Sequence, residues 1–321
     1  MHHFEDLSAS FIERFRTPHF PSHPSSLYGP ADYFLGIGGK RIRPVLCLMG
    51  NELFGEIDPD AWLLAGAVEI FHNFTLIHDD IMDKAPLRRG MPTVHEKYGA
   101  STALLTGDVM MVMAYDAITK MQPPHIRQVL QIFNQAARQV CEGQQLDMDF
   151  ETRPKVGLDE YLSMIELKTS VLLAASLQMG AVLGGAGLGN QQHIYNFGKN
   201  LGLAFQVQDD YLDCFGDPVK FGKQVGGDII AGKKTFLLIR AHEVASAAQH
   251  RQIEELQQTD AATKVAGMLQ LFKTCGVDAW ARELKDTYMQ AAYQRLEDIA
   301  VLARRKEPLH QLAAMLVQRE Y

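Results

Sequence analysis

Cysteine is scarce in this chain and follows no pattern. The four, Cys47, Cys141, Cys214 and Cys275, stand singly in apolar or helical surroundings, with no Cys-x-x-Cys pair and no regular spacing. A reducing cytoplasm is the compartment this suggests. A basic excess is missing too: the net charge is -7, so no whole-molecule field exists to hold a phosphate backbone, and nucleic acid is set aside as a partner. The start, Met1 to Asp6, carries acid early and lacks the basic stretch and apolar run of a secretory signal. Long charge-free runs are lacking except one. Residues Val171 to Gly189 approach the length of a membrane span, yet they contain Ser176, Gln178 and five glycines. That composition reads as a buried helix running into a turn, with no span expected. No tandem repeat, low-complexity tract or run of period-two alternation is present either.

What is there is ordinary globular composition, 47% apolar and 21% charged over 321 residues, enough for a large core in one domain spanning 1–321. Apolar residues recur at three and four in 60–83, 101–121, 125–151, 158–184, 190–215 and 278–304, and a first amphipathic helix covers about 4–16. Four prolines among serines mark 18–30 as a loop. Many long helices with short connections predict an all-α bundle with a deep cavity between helices. In the last eighty or so residues chemical signals are few, and Arg304-Arg305-Lys306 reads as a solvated helix end.

Two short segments echo each other. Asp79, Asp80 and Asp83 share the spacing i, i+1, i+4 with Asp209, Asp210 and Asp213. On a helix, residues four apart lie one turn above each other, so each cluster offers a two-carboxylate clamp on one face. Like charges so placed call for a cation. Oxygen ligands with few side chains per ion suit Mg²⁺, which keeps waters and shares phosphate oxygens. An exposed acidic helix end explains one such cluster as well, but fits two identical ones poorly. Cationic side chains beside glycines complete the set. Gly38-Gly39-Lys40-Arg41-Ile42-Arg43-Pro44 reads as a diphosphate grip, and Arg88-Arg89-Gly90 as a second pair of forks. Lys168, Lys223 and Lys233 are further candidates, although any lone basic residue is more often a solvated surface charge.

In this set of segments the chain resembles the trans-isoprenyl diphosphate synthases, the polyprenyl synthetase family that includes geranylgeranyl and farnesyl diphosphate synthases. The resemblance spans roughly residues 28 to 240 and adds Gly107-Asp108, Lys168-Thr169, Phe205-Gln206 and Gly227-Asp228 to the segments above. It implies an isoprenoid synthase-type bundle of long helices around a central cavity, and a homodimer. Both aspartate clusters would hold Mg²⁺, on the order of three ions bound with the substrate diphosphate. By the same resemblance, Arg88, Lys168, Lys223 and Lys233 would contact the allylic diphosphate, while Lys40, Arg43, His72 and Arg89 would bind isopentenyl diphosphate. Thr169 and Gln206 would turn oxygen dipoles toward an allylic cation, and Phe205 would pack on the second substrate. Without the family, His72 reads as a core histidine and Phe205 as a core aromatic.

Product length is read from the helix before Asp79. Phe74 and Phe71 lie about 7.5 and 12 Å upstream along the axis, and in the family a large residue five before the first motif marks short products. Ideal helix geometry nevertheless turns Phe74 away from the aspartates. The expectation is a short-chain enzyme making the C20 product, with C15 farnesyl diphosphate as the alternative. A class I terpene cyclase is disfavoured because the second cluster keeps three aspartates. A noncatalytic regulatory subunit of a prenyl synthase, the rival of another class, should tolerate loss of a cluster, and neither is lost.

Overall fold

The computed structural model describes residues 1–217 and 225–317. Lys223 falls outside the described residues. The chain divides into two compact units, one comprising Met1–Gln135, Ala175–Ile194 and Ala300–Pro308, the other Ala136–Ala174, Tyr195–Ile299 and Leu309–Tyr321. Among the described residues, strand is confined to one hairpin and almost everything else is helix.

In the first unit, α1 (Phe4–Arg14) buries Leu7 and Phe11, four apart on one stripe. Helix α2 (Ser25–Gly36) corrects the expected loop over 18–30, because Pro30 sits inside it. A proline removes the hydrogen bond to the carbonyl four residues earlier, but that carbonyl belongs to exposed Ser26, where water replaces it. Helix α3 (Ile42–Glu52) is buried at every position from Pro44 onward. It is only eleven residues long and carries Pro44 in its first turn, so it escapes sequence reading. Helix α4 (Pro59–Met82) begins on Asp58, whose carboxylate accepts the Asp60 N–H at 2.8 Å, with Pro59 at its first position. It packs along α6 (Ala100–Thr119), and short α5 (Val94–Tyr98) lies between them in sequence.

The hairpin pairs β1 (Leu87–Arg88) with β2 (Met91–Pro92). Its two turn residues, Arg89 at φ 52° and Gly90 at φ 76°, are both left-handed, the combination a two-residue hairpin favours.

Helix α7 (Pro123–Thr152) contributes to both units, as do α9 (Val171–Leu183) and α10 (Leu188–Phe215). The stretch 158–183 is helical as expected, but it is α8 (Leu158–Ile165) followed by a π-helical turn, Glu166–Ser170, before α9. By length and composition 158–183 could cross a membrane, yet 72% of its most apolar window is buried inside the structure.

The second unit continues through α11 (Gly227–Ala231), α12 (Phe236–Val244), α13 (Ala247–Leu256), α14 (Ala261–Thr274) and α15 (Val277–Glu297). Phe236, Leu271, Phe272 and Val277 anchor its core. The helix expected over 278–304 stops at Glu297, and α16 (Ala303–Val317) starts afresh. The intervening backbone is bound elsewhere, with Ala300 N–H donating to the Asn190 side chain at 2.9 Å. Nor is 304–306 a solvated end: Arg305 donates to the Glu52 and Leu53 carbonyls at 3.2 and 3.1 Å, and Lys306 is buried. Arg305 thereby satisfies orphan carbonyls at the C-terminus of α3.

Candidate active site

In the first unit the loop before α3 turns on Gly38, Gly39 and a left-handed Arg41. Arg41 does not face outward as the grip reading expected. Its guanidinium pairs with the buried carboxylate of Glu69 and donates to the Leu35 carbonyl at 3.0 Å. Glu69 in turn accepts from Asn73 at 2.9 Å. Arg41 therefore fixes the loop, leaving its neighbours for an anion.

Those neighbours are gathered closely. Arg43 donates from Nη1 to His72 Nε2 at 3.0 Å, which leaves the imidazole proton on Nδ1. Burial, then the charges of Arg43, Arg89, Arg88 and Arg41, hold His72 well below the ordinary histidine pKa, so the ring is neutral. Burial also brings Arg43 down to about 10, opposed by Glu69 and assisted by Arg89. The Arg89 guanidinium lies over Gly39: a Cβ built on that glycine would stand 2.9 Å from Nη1. Only a residue without a side chain admits this approach, and the φ of 155° there suits glycine alone. Lys40 is exposed on the same loop. So many cations around the half-buried Arg43–His72 pair suit a strong anion.

The first aspartate cluster closes α4. Asp83 is the C-cap, its N–H bonded to the Asp79 carbonyl at 2.8 Å, one turn below. Asp79 is half-buried and Asp83 exposed, while Asp80 is buried at 1% exposure. Arg88 forks onto Asp80, from Nε at 2.8 and 2.9 Å and from Nη2 at 2.7 Å. Upstream, Phe74 and Phe71 are buried and meet edge to face at 5.3 Å, Phe71 also meeting Phe133 at 5.0 Å and Phe74 the His78 ring at 4.9 Å.

In the second unit, Asp209, Asp210 and Asp213 lie near the end of α10. Asp210 is 5% exposed and accepts from the Tyr161 hydroxyl and from Gln206 Nε2, the latter at 2.9 Å. Burial chiefly raises its pKa to about 7; the Tyr161 and Gln206 hydrogen bonds pull it down, while Asp228 and Asp209 push it up. Asp213 accepts the Asp228 N–H at 3.0 Å and its own carbonyl takes the Gly226 N–H at 2.7 Å. The π-helical turn supplies Lys168, which donates to Asp147 at 2.5 Å, and Thr169, whose hydroxyl is 3.5 Å from Gln206 Oε1. That turn fits between glycines: a Cβ on Gly202 would lie 2.7 Å from Ser170, and one on Gly143 would overlap the Lys168 backbone. Phe205 is half-buried beside Gln206, and Lys233 is exposed, 3.8 Å from Asp228.

Glu69, Asn73, Asp147 and Tyr161 escaped sequence reading. Each acts by holding another side chain, and no spacing rule marks such a residue. Asp228 stood in a quoted motif without a role.

Among the described residues no three His, Cys, Asp or Glu side chains converge into a ready metal cage. The donor set still suits a hard cation: carboxylate oxygens in pairs, in surplus around Asp210, leave most of the coordination sphere to water and phosphate.

Helix-borne aspartate pairs and arginine forks point to a class, a helical enzyme handling diphosphate esters. A polyprenyl synthetase profile matches residues 24–274. A geranylgeranyl diphosphate synthase of Methanosarcina mazei is 37% identical over 304 residues, covering 94% of this chain and 92% of the relative. A geranylfarnesyl diphosphate synthase of Natronomonas pharaonis is 33% identical, covering 93% and 91%. A geranylgeranyl pyrophosphate synthase crystal structure superposes with a TM-score of 0.94 at 41% identity, covering all of both chains. A Caulobacter crescentus polyprenyl synthase crystallised with calcium and isoprenyl diphosphate gives 0.86 at 28%, covering 99% of this chain and 97% of that one. The chain belongs to the polyprenyl synthetase family. It is a short-chain prenyltransferase with the all-α isoprenoid synthase fold, acting on isoprenyl diphosphates.

Proposed function

We propose that the chain condenses isopentenyl diphosphate with dimethylallyl, geranyl and farnesyl diphosphates to give geranylgeranyl diphosphate, and that residues 1–321 form one catalytic domain. The observation that carries this reading is the nest of Arg43, His72 and Arg89 around Gly39. It is an anion site lying apart in sequence from the second aspartate cluster, and a reaction joining two diphosphates needs two anion sites. The M. mazei relative supports the C20 product.

In this reading Lys40, Arg43, His72 and Arg89 hold isopentenyl diphosphate, with neutral His72 offering an N–H rather than a charge. Arg88, Lys168, Lys233 and, outside the described residues, Lys223 hold the allylic diphosphate. Asp79, Asp80, Asp83, Asp209, Asp210 and Asp213 would carry Mg²⁺, on the order of three ions, which neutralises charge building on the departing diphosphate. The calcium in the C. crescentus structure supports a divalent cation here. Lysine and arginine donors stabilise the same developing charge. Thr169 and Gln206 turn oxygen dipoles toward the allylic cation, and Phe205 packs beside the second substrate. The double bond of isopentenyl diphosphate then attacks the cation, and the resulting carbocation gives up a proton to the released diphosphate; holding the two substrates in line supplies much of the acceleration. Phe74 and Phe71 limit the length of the growing chain. The enzyme works as a homodimer in the cytoplasm.

The test is incubation of purified protein with radiolabelled isopentenyl diphosphate and each allylic starter, with and without Mg²⁺, followed by chromatography. Metal-dependent C20 product is expected. Product ending at C15 or C25 would move the chain to another length class, and no turnover with any starter would leave the noncatalytic subunit.

A further inference from the structure

The second unit contains a cavity of about 860 Å³ that none of the aspartates lines. It is enclosed by the bend at 154–157, the segment 232–235, α12, the end of α13, and α14. The volume falls within the range of small-molecule sites. Its accessible apolar surface comes from Pro154 and Leu238, with Ile239, Met268 and Phe272 of the core of this unit beneath.

Among the described residues, four of its ten polar side chains are lysines. Lys155, Lys233, Lys234 and Lys264 line it together with His242 and His250, whose rings stack at 5.6 Å. Not all of these are available. Lys234 donates to the Phe150 and Glu151 carbonyls at 2.8 and 3.1 Å, and Lys233, 3.8 Å from Asp228, belongs to the proposed allylic diphosphate site. Glu243 is the one carboxylate in the lining, and it is paired with Arg240 at 3.0 Å. Lys155 and Lys264 have no carboxylate partner among the described residues. Two ammonium groups and a histidine pair therefore face a cavity whose only acid is already compensated. Positive charge above an apolar floor matches an amphiphile with an anionic head. Among the described residues no cysteine, no serine and no pair of carboxylates lines the space.

We propose that this cavity is a second ligand site, taking a phosphate- or diphosphate-headed isoprenoid with its head between Lys155 and Lys264 and its tail over Pro154 and Leu238. That the tail is isoprenoid rests on the prenyltransferase reading; the charge and apolar floor do not.

The test counts bound molecules. Equilibrium dialysis of the full chain with labelled geranylgeranyl diphosphate and Mg²⁺ should saturate at two equivalents per chain. Excess farnesyl thiodiphosphate with isopentenyl diphosphate should displace one of them. Lys155→Glu/Lys264→Glu should weaken the undisplaced equivalent more than about tenfold, with kcat and KM for both substrates unchanged. The milder Lys155→Ala/Lys264→Ala pair serves if the charge reversal fails to fold. Inorganic diphosphate and farnesol, the head and the tail alone, should each bind this site more weakly than the whole amphiphile. Saturation at one equivalent, retention of both in the double variants, or equal binding of inorganic diphosphate would overturn the proposal. Should the chain prove inactive with every starter, the stoichiometry and its loss in the variants still decide whether this site exists.

Discussion

Arg88 and Asp80 form a forked ion pair, with Nε 2.8 and 2.9 Å from the two carboxylate oxygens and Nη2 at 2.7 Å. The arginine arrives from the hairpin and the aspartate from the end of α4, so the pair ties a tight turn to a long helix. Asp80 is almost wholly buried, and removing the arginine strands its charge. Arg88→Ala is expected to cost about 3 kcal/mol in urea unfolding without metal. Asp80→Asn in the same background should recover part of that loss, and strict additivity of the two changes would show that the pair is not coupled.

His72 gives a pH signature. Its folded pKa lies below the ordinary value of about 6.5, because burial and four arginines oppose its charge. The unfolded chain therefore takes up this proton first as pH falls. The contribution is complete above about 6.5 and is lost as pH drops toward the depressed folded value. His72→Gln, which can still accept from Arg43, should show a smaller drop in urea midpoint between pH 8 and 5 than the native chain. Identical drops would mean that His72 charges freely in the folded state.

The aspartate clusters should separate activity from folding. Asp79→Ala and Asp209→Ala are each expected to lower kcat by about 10²-fold or more, while the helical circular dichroism spectrum stays unchanged. Neither residue is a buried anchor. Near-native turnover in one variant would remove that cluster from the chemistry.

Phe74 is wedged between Phe71 and His78. Phe74→Ala is expected to lengthen the product, read by chromatography of radiolabelled chains, and to cost about 3 kcal/mol through the cavity it leaves. The Phe74→Leu variant keeps most of the volume and should shift the product less. An unaltered product spectrum in both would place the length limit elsewhere.

Glycines at the crossing of α3 and α9 predict a steep stability contrast. A Cβ on Gly180 would overlap the Cys47 carbonyl, and one on Gly50 the Leu177 carbonyl, both backbone groups that cannot swing aside. Gly180→Ala should lose about 3 kcal/mol or fail to fold. Gly189→Ala, near the start of α10 with nothing within 4 Å, should be neutral or gain about 0.5 kcal/mol. Similar melting points for the two would contradict this packing.

The long amphipathic helices were legible because one face is apolar and the other wet, as in α7 and α15. Helix α3 was not, since it is short and carries Pro44 in its first turn. The break after Glu297 was missed because Asn190, more than a hundred residues earlier, takes the Ala300 N–H. At the candidate site, residues that meet a ligand were readable from charge beside glycine. Those that hold other side chains were not: Arg41 looked like one more cation until buried Glu69 claimed it, and Tyr161, whose hydroxyl meets Asp210, carried no signal at all.

The wide turn at Glu166–Ser170 stores one extra residue inside a helix rather than in a loop. Each residue advances an α-helix by about 100°, so a chain one residue shorter here would swing its neighbours a quarter turn or more and present another side chain where Lys168 stands. Aligned against such a chain, the gap belongs at this point in mid-helix, and shifting it to the nearest loop would misassign every position between.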